Sequence, residues 1–244
     1  MITFVLWTKQ EPHPMYGTIH MLGTAPPTDP SSDRSGLSYG AVGIVASAGG
    51  INACLELLSG LPAEFRLPIV LMQHLPRGAV SVLPQILVRK TPLRCRWIEK
   101  DETLQAGTVH ICPPGHGVTV SDGGLHLFPL PPNSSSWLTA ADLMLSSLAA
   151  AYGREAIGIV LSGSLTGGAE GIRSIRLRHG MTMAQCRKSS HCFDMPGAAA
   201  DLGKAEVILP PYRLAMALLV ATQSAEENAG DSSAAAVPGQ GSHG

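Results

Sequence analysis

Three things are scarce in this 244-residue chain. The first is charge of one sign. Seventeen Lys and Arg stand against 18 Asp and Glu, a formal net charge of −1, without the basic excess that nucleic-acid binders usually carry. The second is long apolar runs: none reaches the roughly 18 residues that a bilayer-spanning helix needs. The third is paired cysteine. Cys54, Cys95, Cys112, Cys186 and Cys192 are odd in number, scattered and free of C-x-x-C spacing, so they read as free thiols in a reducing compartment. Residues 1–7 hold no cationic leader and too short an apolar core for a secretory signal. The expectation is a cytoplasmic protein with no nucleic-acid partner and no membrane insertion.

What is present is the material of one core, with 45% hydrophobic residues. Residues 1–39 carry Pro12, Pro14, Pro26, Pro27 and Pro30 and show no helical or alternating period, so they read as an irregular, disordered lead-in. Residues 224–244, rich in Ala, Gly, Ser and acidic side chains, read as a disordered tail. A single domain over 40–223 lies between them.

Within that domain, buried strands alternate with helices. Ala41–Ala46, Pro68–Met72 and Ala156–Leu161 are short apolar runs of the kind buried in a parallel sheet. Ile51, Cys54, Leu55 and Leu58 fall on one helical face, and Gly60 with Pro62 closes that helix. Further strands are expected at 95–98, 108–111, 181–185 and 206–209. Helices are expected within 79–90, from Thr139 (as cap, with Asp142 three residues on) through Tyr152, up to about His179, and over 212–222. Glu99–Glu102 reads as a solvated turn, and Gly117–Val120 with Leu125–Phe128 as a β-hairpin. The fold class is therefore α/β: a doubly wound, mostly parallel sheet in three αβα layers with a β-hairpin insertion.

In such a sheet the loops after the strands open on one carboxyl edge, where ligands bind. Three of them hold Ser47 in Ala46-Ser47-Ala48-Gly49-Gly50, His74 in Gln73-His74-Leu75-Pro76, and the glycine-rich turn Ser162–Gly168. A serine and a histidine on adjacent strand ends can meet, the imidazole accepting the hydroxyl proton and returning it to a leaving group. Neither glycine-rich turn has the lysine or spacing of a phosphate loop. Val45 stands where an α/β-hydrolase elbow wants glycine. His74, His110, His116 and Cys112 lack the spacing of a metal site.

In their order, Val45–Gly50, Gln73–Pro76, Val160–Gly163 and Phe193–Ala198 resemble the CheB-type chemotaxis receptor methylesterase domain over roughly residues 40–222. The corresponding family motifs read G-A-S-T/A-G-G, Q-H-M-P and G-M-P-x-A. The resemblance implies a serine hydrolase that cleaves glutamate γ-methyl esters on the cytoplasmic helices of chemoreceptors. Water is the final acceptor, no cofactor or metal is needed, and some members also deamidate glutamine. By position, Ser47 would be the nucleophile, His74 its general base, and the N–H groups around Ala48 and Gly49 part of an oxyanion hole. The family's amino-terminal receiver domain is not expected here, since nothing before Ala41 could fold into it; a separate receiver protein is one way regulation could be supplied.

One motif departs. The family's T/S-G-M-G-x-D-G carries the aspartate that orients the histidine, and Ser162-Gly163-Ser164-Leu165-Thr166-Gly167-Gly168 puts Gly167 in its place. Losing that carboxylate in a serine protease costs on the order of 10⁴ in turnover. Thr166, Glu170 and Asp194 are the candidate substitutes. Glycine would also leave a small void beside His74 in which a water could hold the imidazole, if polar groups line it. Two readings follow: a methylesterase with an incomplete triad, or a CheB-like domain that binds a receptor or signalling partner without useful turnover.

Overall fold

A computed structural model of the chain describes residues 40–121, 124–132 and 135–234, with side chains described through residue 222. In chain order the elements are β1 (Ala41–Ala46), α1 (Gly50–Ser59), β2 (Ile69–Gln73), α2 (Leu83–Leu87), β3 (Arg94–Trp97), β4 (Glu102–Thr103), β5 (Thr108–Ile111), β6 (His116–Ser121) and β7 (Gly124–Pro129). They continue with α3 (Ser136–Tyr152), β8 (Ala156–Val160), α4 (Ala169–Leu177), β9 (Met181–Gln185), α5 (Asp194–Asp201), β10 (Val207–Leu209) and α6 (Pro211–Ala234).

Seven strands form one sheet in the order β10-β9-β8-β1-β2-β5-β3, and every pairing in it is parallel. β1, β2 and β8 are buried at every position, which is why their sequences are continuously apolar instead of alternating. One face buries Val42, Ile44, Leu57, Leu71, Leu87 and Leu218 against α1, α2 and α6. The other buries Val45, Met144, Leu145, Leu148, Ile172 and Met195 against α3, α4 and α5. The three-layer expectation is met. The chain leaves β1 toward β2 on one side and returns through β8 on the other, so the topological switch falls at the carboxyl ends of these central strands, where open α/β sheets place ligands.

A second, antiparallel sheet, β4-β7-β6, contains the expected hairpin; its turn residues 122–123 lie outside the described residues. β4 was not expected, because Glu99–Glu102 looks like a solvated turn. Glu102 instead accepts hydrogen bonds from Arg96 at 2.8 Å and from His110 Nδ1 at 2.9 Å, and His110 is fully buried. Burial disfavours the Glu102 carboxylate, but the Arg96 and His110 hydrogen bonds outweigh it and hold its pKa below the ordinary value. A buried imidazole needs such a partner, and the polar run supplies it.

Other expectations shift at element ends. α2, one short turn over 83–87 with Pro84 in its first turn, lies within the expected 79–90. α3 starts at Ser136, so Thr139 lies inside it and its hydroxyl donates to the Ser135 carbonyl. Asp142 does not complete a capping box. Its Oδ1 accepts the Gly171 N–H at 3.0 Å, tying α3 to the first turn of α4; burial pushes the Asp142 pKa up against these backbone bonds. α6 runs past the expected stop at 222 to Ala234. The proposed lead-in 1–39 and residues 235–244 of the tail lie outside the described residues. No helix among the described residues is long and apolar enough to cross a membrane.

Candidate active site

Ser47 follows directly on β1. Its N–H donates to the Ser162 carbonyl at 2.9 Å, extending the β1–β8 ladder, and on the other flank the His74 N–H donates to the Ala46 carbonyl at 2.8 Å. Both residues therefore sit just past the ends of adjacent parallel strands, and Ser47 Oγ lies 3.3 Å from His74 Nδ1. That is slightly beyond a committed general-base contact, as unliganded sites often are. With the hydroxyl donating, Nδ1 accepts and Nε2 carries the ring proton. Burial pushes the His74 pKa below its ordinary value, so the imidazole is neutral and able to accept a proton at pH 7.

The turn then enters α1 through Gly49 at φ 76°, a left-handed conformation that glycine adopts without strain. The Gly50 N–H closes the turn on the Ser47 carbonyl at 2.9 Å. The N–H groups of Ala48 and Gly49 make no backbone hydrogen bond among the described residues. They stand beside Ser47 at the amino end of α1, where the helix dipole favours developing negative charge.

Polar side chains around the pair lock these loops together. Gln73 Nε2 donates to the carbonyls of both Ser47 and His74, each at 3.0 Å. Ser162 Oγ donates to the Ala48 carbonyl at 2.7 Å and accepts the Cys192 N–H at 2.9 Å. The Ser162 N–H is held by Gln185 Oε1 at 2.8 Å. Gly163 exchanges backbone bonds with Cys192 and Met195, each 3.0 Å. A signal for this frame exists in the sequence: Gln73 and Gln185 are the polar last residues of β2 and β9, and burial of an amide calls for partners. Gln73 finds them through Nε2, while its buried Oε1 has none among the described residues.

The loop over 162–168 brings no carboxylate to His74. Among the described residues nothing hydrogen-bonds His74 Nε2, and no charged group contributes to its pKa shift. Thr166 is exposed and makes no hydrogen bond to His74. Glu170 pairs with Arg173 at 3.2 Å on the solvent side of α4, and Asp194 is exposed in the first turn of α5. None of the three substitutes is joined to the serine–histidine pair.

The expected water-sized void at Gly167 is not there either. A Cβ at this position would meet Trp137 Cζ3 and Leu138 Cδ2, each at 3.0 Å, and the neighbours that fill the space are apolar. Trp137, 6% exposed, stacks on His74 with ring centroids 4.8 Å apart and an interplanar angle of 22°. The two rings open onto a cleft of about 390 Å³ whose walls include Leu75, Arg77, Pro114 and His116. Among the described residues no group of three His, Cys, Asp or Glu side chains is placed to hold a metal ion.

Comparison with known proteins gives one consistent result. The family model for CheB methylesterase matches residues 42–218. A protein-glutamate methylesterase/protein-glutamine glutaminase of Carboxydothermus hydrogenoformans is 32% identical over 214 residues, covering 86% of this chain and 61% of that protein. The protein-glutamate methylesterase FrzG of Myxococcus xanthus is 34% identical over 181 residues, 74% of this chain and 54% of that one. The chain thus spans little more than half the length of these curated relatives. The crystal structure of the Thermotoga maritima CheB methylesterase catalytic domain superposes with a TM-score of 0.67 at 26% identity, covering 75% of this chain and 98% of that domain.

Proposed function

The chain belongs to the CheB methylesterase family, and on that premise we propose that it is a serine hydrolase of glutamate γ-methyl esters on chemoreceptors. Two of its relatives are named as protein-glutamate methylesterases. The single observation that supports it in this chain is the 3.3 Å contact of Ser47 Oγ with His74 Nδ1 at the mouth of a cleft.

In this reading Ser47 Oγ attacks the ester carbonyl while its proton passes to His74 Nδ1. The carbonyl oxygen becomes an oxyanion facing the Ala48 and Gly49 N–H groups. The C–O bond to the methoxy group then breaks, and His74 returns the proton so that methanol leaves. Water, deprotonated by the same imidazole, releases the glutamate carboxylate from Ser47. A glutamine side chain could follow the same path with ammonia leaving. The substrate is a receptor's cytoplasmic helix, which places the protein in the cytoplasm. A receiver on another protein is one route for its regulation.

Turnover is slow in this account, because no carboxylate supports the imidazolium. The rival reading, a domain that binds without turnover, rests on the same missing carboxylate, so Ser47 reactivity separates the two. A fluorophosphonate probe is expected to label Ser47, located by peptide mass spectrometry, and to label His74→Ala far more slowly. The labelling rate should rise with pH to a plateau, with its midpoint below that of an ordinary imidazole, because burial lowers the His74 pKa. Absence of labelling at Ser47 at any pH would favour the binding domain.

A further inference from the structure

We propose that Trp137 is the positioning residue for His74: its indole face holds the imidazole toward Ser47 in place of the carboxylate missing at Gly167. The inference rests on the hydrolase reading for its catalytic consequence, but its geometry stands alone.

Three observations converge on one ring. Trp137 is buried, in the first turn of α3, and its plane lies nearly parallel to the His74 imidazole at 4.8 Å. The nitrogen left facing Ser47 is Nδ1. The same indole presents Cζ3 to Gly167, at 3.0 Å from where a Cβ would stand, so that a side chain there fits only if the indole gives by a few tenths of an ångström. Gly167 and Trp137 are therefore a closely packed pair: the absence of a side chain at 167 lets the indole sit there without adjustment. An aspartate there would press on Trp137 and Leu138 and disturb the stack on His74.

The stack can perform two of the three tasks of a triad carboxylate. It fixes the ring plane, since tilting the imidazole would break a contact with a buried side chain. It also favours the imidazolium that forms when Ser47 gives up its proton, because the positive ring lies over the electron-rich indole face. It accepts no hydrogen bond from Nε2–H, so the third task goes unfilled. An aromatic–cation contact of this kind accounts for roughly 3- to 30-fold in rate, well short of the roughly 10⁴ of a carboxylate.

The test uses the full chain with substitutions at 137 and 167, read by the fluorophosphonate labelling rate against pH and by an NMR titration of the His74 imidazole. Trp137→Phe, which keeps an aromatic face, is expected to stay within about threefold of wild type, whereas Trp137→Leu should fall roughly 10-fold or more. The imidazole resonances should also move in Trp137→Leu, as the ring current is lost. Gly167→Asp alone should bring no gain, while Gly167→Asp combined with Trp137→Ala should exceed Trp137→Ala alone. Trp137→Leu with wild-type labelling rate and unchanged imidazole resonances would overturn the proposal, as would a faster Gly167→Asp single variant. If Ser47→Ala labels like wild type, the hydrolase reading fails by itself, and the His74 titration in Trp137→Phe and Trp137→Leu still decides the positioning.

Discussion

Replacing His74 with alanine is expected to lower methanol release roughly 10²-fold, far less than the roughly 10⁶-fold that the same loss costs an intact triad. The reason is arithmetic on a unit whose members act together. In a complete serine protease triad, losing the histidine costs about 10⁶ and losing the aspartate alone about 10⁴. Here the aspartate's share is already absent at Gly167, so His74 can lose only what remains. The measurement is single-turnover release of methanol from a methylated receptor fragment, wild type against His74→Ala. A drop near 10⁶ would mean that His74 is fully supported, and that a carboxylate reaches it by a movement on substrate binding.

The second large effect concerns Gly163, which carries no ionisable group at all. A Cβ there would run into Met195 Sδ and would stand 2.9 Å from Ser47 Cβ. The Gly163 φ lies outside the left-handed region, so contact alone bars a side chain. Met195 is fully buried and its N–H is held by the Gly163 carbonyl at 3.0 Å, so it has little room to retreat. Gly163→Ala is therefore expected to push on Ser47, and a displacement near 1 Å costs roughly 10²-fold in rate. Overpacking of this kind should also cost about 1–3 kcal/mol of stability, seen as a fall in Tm of several degrees. An alanine variant with wild-type Tm and wild-type methanol release would show that the Met195 side chain relaxes freely.

Both expectations depend on how tightly the loops are tied, and this is where sequence and structure part. Ser47 and His74 could be picked out because each follows a run of apolar residues that only a buried strand explains, and parallel strands deliver their ends to one edge. The alternation of these runs with amphipathic helices made the three layers readable for the same reason. Trp137 could not be found in that way. It sits 63 positions from His74 and 30 from Gly167, just after a proline- and serine-rich loop, and nothing in local periodicity says which ring it will cover. Its importance emerges only when Gly167 is seen as space occupied and not as a residue lost.

The same limit hid the Glu102–His110 pair. Charge-rich Glu99–Glu102 reads as a solvated turn, and its first three residues are exposed. The partial burial of Glu102 depends on an imidazole eight positions along and on Arg96 of the strand beside that imidazole. Asp142 has the spacing of a helix cap, but the helix starts one turn earlier and leaves its carboxylate free to hold the first turn of α4. In each case the polar character is local, and the partner is set by tertiary contact. Gln73 and Ser162 belong to the same class, since their hydrogen bonds run to loops that are distant in sequence.

The proposed chemistry requires Ser47 to work as a nucleophile despite the glycine at 167. The most direct measurement is methanol release from a receptor fragment carrying glutamate γ-methyl esters, with wild-type protein and Ser47→Ala compared under identical conditions. The account predicts slow release by the wild type that Ser47→Ala reduces to the level of buffer. Equal rates for the two proteins would contradict it.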